Sequence, residues 1–370
     1  MRPGPFQSIS LCRRLTSVLF MSGARFAHDA DTLANLTAWS RDGVGEQNIC
    51  RLVDVGVNAP AVQKGWAERS HAAGVHGWLL TGCSVKGSRL GQKLCREQTS
   101  PLDMRFTAGV HPHDSGTWTD ESEGIIRALV SDPNCGAVGE CGLDYDRMKA
   151  PRETQLTAFA AQVAIAVEAQ KPLFLHCREL DAERGPPIGA HVDLLQILSA
   201  AGAMPSQCCV HCFTGSATEL RELLHCGFTV GITGFVCKSE RGAGLRTALA
   251  SMSAEFGAAE VASQLVLETD APYMRPPDSM LRMPVTPSEI KAGPEGAPLS
   301  KAKGNEKAPP LALSKGRDSE PAMTVAVCRT VAECLGVTPK MLAAATTARS
   351  SELFFSSRPA RQHGTATEDF

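Results

Sequence analysis

Short apolar runs recur through the middle of the chain, separated by stretches with helical spacing. The runs are LVDVGVN (52–58), GWLLTGC (77–83), FTAGVHPH (106–113), GAVGECGLD (136–144), PLFLHCRE (172–179), CCVHCFTG (208–215), FTVGITGF (228–235) and LVLETDAP (265–272). Most begin apolar and end in polar or small residues. Such near-continuous runs predict strands buried on both faces, as in parallel sheets. Between them, RETQLTAFAAQVAIAVEAQ (152–170) sets Leu156, Phe159, Val163 and Val167 at helical spacing. TDESEGIIRALVSD (119–132) opens with Asp120 as the expected N-cap and Glu123 three residues later. TELRELLHCG (218–227) ends at Gly227, an expected C-cap. Eight strands alternating with helices predict an α/β protein, a (β/α)8 TIM barrel; a doubly wound open sheet is the alternative.

The rhythm breaks between Arg275 and Pro321, where GPEGAPLSKAKGNEKAPP is rich in proline, glycine and lysine. Residues 275–316 are therefore expected to be a disordered insertion in a barrel spanning 49–356. Helical pattern resumes over 321–336 and 339–355, expected to close and cap the barrel, with a disordered tail over 357–370. Residues 1–48 form an N-terminal extension. Its first 28 residues carry Arg2, Arg13, Arg14 and Arg25, interspersed serines and no acid. That composition suits a transit peptide as well as a plain extension, so the expected compartment is cytoplasmic or mitochondrial.

Composition narrows the partners. The formal net charge of -2 gives no broad electrostatic footprint for long duplex nucleic acid. No run approaches the roughly 20 apolar residues of a membrane span, so no membrane partner is expected. The 14 cysteines, among them Cys83, Cys135 and Cys177 inside apolar runs, read as buried thiols rather than a disulfide framework. Cys209 and Cys212 have C-x-x-C spacing. Strand alternation puts Cys209 with His211 and turns Cys212 to the opposite face, so both read as structural thiols.

A barrel enzyme gathers reactive groups at the C-terminal ends of its strands. These ends carry His111 and His113, Glu140 and Asp144, His176, His211, then Glu268 and Asp270. One buried histidine is most simply a satisfied core residue, but Glu140, His176, His211 and Asp270 recur at one end of successive or closing strands. Two imidazoles with two carboxylates suit a divalent ion such as Mg²⁺, Mn²⁺ or Zn²⁺. Arg178 and Lys238 follow the fifth and seventh strands and could hold flanking phosphates or be solvated loop charges. Tyr145 is a candidate for stacking a base. Asp144 is either a partner that orients a ligand or a solvated loop residue. Gly139 and Gly142 are expected to clear space where a metal or substrate approaches.

GVHPHD, GECGLDYDR, PLFLHCRE, VHCFTGS, GITGFVC and LETDAPY, in that order, resemble the TatD family of metal-dependent deoxyribonucleases over roughly residues 50 to 355. VDVGVN resembles the TatD branch that lacks the strand-one H-x-H. The resemblance implies a metal-dependent hydrolase barrel acting as a 3′-to-5′ exonuclease on single-stranded DNA, and on RNA as a further substrate. It implies Glu140, His176, His211 and Asp270 as metal residues, with Asp270 and Glu140 catalytic. It places His111 and His113 near the phosphate; Arg178, from its position after strand five rather than from the resemblance, is the further substrate-binding candidate. Mg²⁺ is the expected ion and a monomer the expected state. Two places depart from the wider family. Strand one reads Asp54-Val55-Gly56-Val57-Asn58 without its imidazoles, and Arg317-Asp318-Ser319-Glu320-Pro321 resembles a substrate element with one extra residue. An ester, lactone or amide hydrolase, including one acting on aminoacyl-tRNA, and a non-catalytic binding protein are the rival readings.

Overall fold

The computed structural model describes residues 51–281 and 317–356. The expected extension 1–48, the tail 357–370 and residues 282–316 of the expected insertion lie outside the described residues. The eight expected strands form one parallel sheet in sequence order. They are β1 (Leu52–Asn58), β2 (Val75–Thr81), β3 (Asp103–Ala108), β4 (Cys135–Asp144), β5 (Leu173–Arg178), β6 (Cys208–Val210), β7 (Thr229–Ile232) and β8 (Leu265–Leu267). The sheet closes on itself: the Asn58 amide donates to the Ala271 carbonyl (3.1 Å) and the Ala271 amide to the Gly56 carbonyl (3.2 Å). Closure of strands in simple order is the (β/α)8 barrel and excludes the doubly wound sheet.

Several strands are shorter than their apolar runs, because the polar ends have left the sheet. β3 stops at Ala108 and β8 at Leu267, so His111, His113 and Asp270 sit on the loops that follow rather than on the strands.

Alternation sorts the core. Val53 and Val55 of β1, Leu79, Ala137, Phe174, Cys209 and Val266 point inward as one apolar cluster. Leu353 and Phe354, from the helical turn Ser351–Phe355 that follows the last helix, plug that cluster from the N-terminal side of the strands. The outward-facing set, including Trp78, Leu80, Phe106, Val138 and Leu175, packs under the helices. Buried Arg349 ties the plug in place. Its guanidinium donates to Thr229 Oγ1 (2.8 Å) and to the Ser206 carbonyl (2.7 Å).

Helix ends follow local chemistry. Helix Asp120–Val130 is capped one residue earlier than expected: Thr119 Oγ1 accepts from the Ser122 amide, and Ser122 Oγ accepts from the Thr119 amide. Asp120 is the first helical residue, where a carboxylate favours the helix dipole. After helix Ala217–His225 the chain turns at Gly227 with φ +84°, as glycine allows. Helix Arg152–Ala169 buries Phe159 and Val163 but leaves Val167 40% exposed. Each four-residue step advances about 40° around the helix, so Val167 leaves the buried face and Ala166 takes it.

Residues 275–281 of the expected disordered insertion are structured. Arg275 donates to the Asp318 carbonyl (2.9 Å), and Asp278–Leu281 forms a helical turn. On the return, Arg317 is exposed whereas Glu320 is fully buried and takes a two-pronged hydrogen bond from Arg69 Nε (2.9 Å) and Nη2 (2.7 Å). That pair pins the returning segment to helix Trp66–Ala72. Eleven cysteines among the described residues are free thiols. No helix among the described residues is long and apolar enough to cross a membrane.

Candidate metal centre

Glu140 is the hub. Its Oε1 faces three ring nitrogens: His211 Nε2 at 2.8 Å, His176 Nδ1 at 3.0 Å and His111 Nε2 at 3.3 Å. Strand alternation from inward Ala137 would turn Glu140 outward. The pairing instead skips it: Gly139 pairs with Phe174 and Cys141 with Leu175, so Glu140 is an extra residue on β4 and turns in. The glycines on either side serve this register. A Cβ on Gly139 would strike the Phe174 carbonyl, and one on Gly142 the His176 carbonyl. Both make way for β5 itself, not for a ligand as the sequence suggested.

The partners on the far side of each ring decide what the near side can do. His176 Nε2 meets the Asp144 carboxylate (3.1 Å), and His211 Nδ1 meets that of Glu268 (3.2 Å). A carboxylate only accepts, so each of those nitrogens carries a proton; the opposite nitrogens, His176 Nδ1 and His211 Nε2, are the ones that would ligate a cation placed between the rings and Glu140. His111 differs. Its Nδ1 accepts the backbone N–H of His113 (3.0 Å), so the neutral ring carries its proton on Nε2 and donates into the site. By proximity His111, Glu140 and His176 could hold a cation. The far nitrogens set them apart: His176 and His211 are each backed by a carboxylate, His111 by a backbone N–H.

Electrostatics agree with a cation-shaped site. Burial pushes the Glu140 carboxyl up, but His211 and His111 outweigh it and hold it well below its ordinary value. Burial opposes charge on His211, and Glu140 and Glu268 override it, raising that ring well above its usual value. Asp144 is desolvated yet held below the carboxylate range by the His113 and His176 hydrogen bonds.

Asp270 lies beside this hub with φ +52°, a left-handed turn that aspartate tolerates. Its Oδ1 accepts from the Asn58 amide (3.0 Å). Burial carries its pKa to about 7; His211 opposes the rise, and Glu140 and Glu268 add to it. Cys83 Sγ donates to Glu140 Oε2 (3.3 Å) and to Asn58 Oδ1 (3.4 Å). Cys212 is not turned away as alternation predicts. The strand has ended, φ is +46°, and its thiol faces Asp270 Oδ2 at 3.7 Å. Cys209 stays in the apolar barrel interior, and burial raises both thiols well above their usual value.

Glu268 fills the place of a missing strand-one imidazole. A Cβ on Gly56 or on Gly231 would collide with its carboxylate oxygens. Sequence reasoning noticed Glu268 at a strand end but gave it no role. It also missed Gln155 and Gln162, seven apart on helix Arg152–Ala169. Gln155 clamps the backbone of Asp144 (2.8 and 3.1 Å), and Gln162 clamps that of Val110 (2.7 and 3.0 Å), just before His111. The signal available was two buried-type polar residues on an otherwise apolar helix face.

At the mouth, His113 Nε2 meets Asp144 Oδ2 at 2.8 Å and Arg178 Nη1 stands 3.8 Å from the same oxygen. Asp144 is thus an orienting partner, not a solvated loop residue. Lys238 is turned to the Arg275 carbonyl (3.5 Å). Tyr145 cannot stack a base: it is fully buried, with its hydroxyl donating to Asp193 (2.6 Å). Its amide still donates to the Arg178 carbonyl (2.8 Å), which prolongs the β4–β5 pairing and turns the ring into the helix layer.

A curated protein of Citrobacter koseri named 3′-5′ ssDNA/RNA exonuclease TatD is 39% identical over 232 residues, covering 61% of this chain and 81% of that protein. A protein of the same name from Salmonella typhimurium is 39% identical over 237 residues, with the same coverage. In fold, the chain is similar to a TatD family hydrolase of Entamoeba histolytica (TM-score 0.63, 18% identity, covering 83% of this chain and 99% of that one). It is likewise similar to a TatD homolog of Escherichia coli K12 (TM-score 0.62, 19% identity, covering 84% and 100%). The family model described as TatD related DNase matches residues 54–355, and the chain belongs to that family.

Proposed function

We propose that this protein is a metal-dependent nuclease that hydrolyses phosphodiester bonds, removing nucleotides from the 3′ end of single-stranded DNA and of RNA, with Mg²⁺ as its ion. The observation that carries the reading is the Glu140 carboxylate set within 3.0 Å of His176 Nδ1 and 2.8 Å of His211 Nε2 at the mouth of a barrel in a DNase family. Relatives named as 3′-5′ ssDNA/RNA exonucleases support the substrate and polarity. The net charge of -2 suits a narrow site for a chain end rather than a duplex-binding face.

In this reading Glu140, His176, His211 and Asp270 hold the ion. When bound, it supplies the charge that polarises a phosphoryl oxygen and eases deprotonation of the attacking water. Asp270, its Oδ1 engaged by Asn58, accepts that proton at Oδ2. His111 donates from Nε2 to the phosphate or the leaving oxygen. His113 and Arg178 steady the flanking phosphate. Glu268 and Asp144 orient the two ligand rings. All these groups come from one chain, so a monomer suffices. The arginine-rich, acid-free N-terminus is the ground for a mitochondrial or cytoplasmic location.

The test is a time course on end-labelled single-stranded DNA and RNA with Mg²⁺, Mn²⁺ or Zn²⁺. The wild type should release mononucleotides from the 3′ end, and Glu140→Ala and His211→Ala should not. Unchanged cleavage by both purified variants overturns the assignment. Faster turnover of aryl esters or lactones than of oligonucleotides returns the protein to the ester-hydrolase alternative.

A further inference from the structure

Tyr273 follows the Asp270-Ala271-Pro272 turn and is 62% exposed, the most exposed large hydrophobic side chain among the described residues. Its backbone is nonetheless braced. Its amide donates to the Asp270 carbonyl (2.8 Å), and the Ser319 amide donates to the Pro272 carbonyl (2.8 Å). Arg275, two residues on, is tied to the Asp318 carbonyl (2.9 Å). An exposed ring on a fixed backbone is a platform rather than a frayed loop. It lies beside the metal centre: partial burial raises the Tyr273 phenol, and the charges of Asp270, Cys83 and Glu140 add to that rise.

We propose that Tyr273 is the stacking platform for the terminal base of the nucleotide being removed. The proposal rests on the nuclease reading. In that reading His111, His113 and Arg178 answer to phosphate. A free aromatic face stacks a base without regard to sequence, because every base has a π-face. It also demands a base that has left its neighbour, which favours an unpaired end over a duplex end.

The test pairs a change in the enzyme with a change in the substrate. Wild type, Tyr273→Phe and Tyr273→Ala, loaded with Mg²⁺, are assayed on two labelled single-stranded oligonucleotides, one with a normal 3′ nucleotide and one with an abasic 3′ residue. On the normal end Tyr273→Ala should lower kcat/KM by about 5- to 150-fold, mainly through KM, while Tyr273→Phe stays within about 3-fold. On the abasic end the penalty for Tyr273→Ala should disappear, since the stacking partner is already gone. A penalty of equal size on both ends, or none on either, overturns the platform while leaving the nuclease reading intact. Failure of the wild type to cleave either substrate overturns both.

Discussion

The two ends of this barrel are built from the same strands and do opposite work. On β5, Phe174 faces the closed end and His176, two residues on, faces the open one. Cys209 on β6 and His211 just past its end repeat the pattern, as do Val266 on β8 and Glu268 just past its end. One step of alternation, about 7 Å along a strand, separates an apolar layer plugged by Leu353 and Phe354 from a cluster of paired charges. At the closed end burial stabilises by removing apolar surface from water. At the open end burial costs free energy, offset where a desolvated carboxylate meets a ring nitrogen, as Glu140, Asp144 and Glu268 do. The lesson is that stability and chemistry are separable within two residues.

The largest effect should come from Glu140→Ala. It removes the one oxygen that three ring nitrogens share. Divalent-ion affinity, read by titration calorimetry, should fall by more than about 100-fold, above the cost of losing an orienting partner alone. The metal-free variant should melt close to the wild type. Next is Phe354→Ala, which opens the closed end. Denaturant unfolding should show a loss of about 3–5 kcal/mol. Ion affinity of the folded variant should stay within about 3-fold of wild type. Lost affinity in a folded Phe354→Ala protein would mean that the two ends are coupled, and the separation just drawn would fail.

A smaller effect probes how the open end is held. Glu268 takes the His211 Nδ1 proton on one oxygen and the Cys212 amide on the other. Glu268→Gln keeps the volume but replaces one acceptor by a donor, so a donor must face either the Cys212 amide or His211 Nδ1. Ion affinity should drop about 10- to 100-fold with the fold retained. Affinity equal to wild type would show that Glu268 only fills space beside Gly56 and Gly231.

These contrasts also explain what the sequence could and could not say. Strand positions were legible because each run is apolar on both faces, and the gathering of Glu140, His176 and His211 at one end because charges on such strands have few other uses. The inward turn of Glu140 was not legible, since alternation from Ala137 points it outward and only pairing with β5 inserts the extra residue. Nor was the room for Glu268, which depends on glycines of two other strands, β1 and β7. Tyr145 was read as a candidate for stacking a base, but continued pairing with β5 decided its direction. Gln155 and Gln162 were hidden because a helix gives no sign of which loop backbone it will meet.

The smallest expected effect sets two buried carboxylates against each other. Glu140, among imidazoles, is held well below its ordinary pKa. Asp54 is equally buried but has no cationic partner in its hydrogen-bond set: it accepts from the amides of Gly56 (3.1 Å) and Thr269 (2.9 Å) and from the Thr269 hydroxyl. Burial wins there, with Glu268 adding repulsion, and its pKa rises from 3.8 to about 7. The folded state therefore holds this proton more tightly than the unfolded chain. Its contribution is complete below pH 3.8 and is lost as pH rises through about 7. Asp54→Asn has no such proton to lose. Its carbonyl can still accept both amides, and its NH2 can donate to Thr269 Oγ1. In the metal-free protein the wild type should lose about 1 kcal/mol relative to this variant between pH 6 and 7. Urea unfolding of both proteins at pH 5, 6, 7 and 8 measures it. A difference that stays flat over that range would mean that three hydrogen bonds keep Asp54 ionised much as the imidazoles keep Glu140. The contrast between a neutral and a charged solution to burial would then collapse into one.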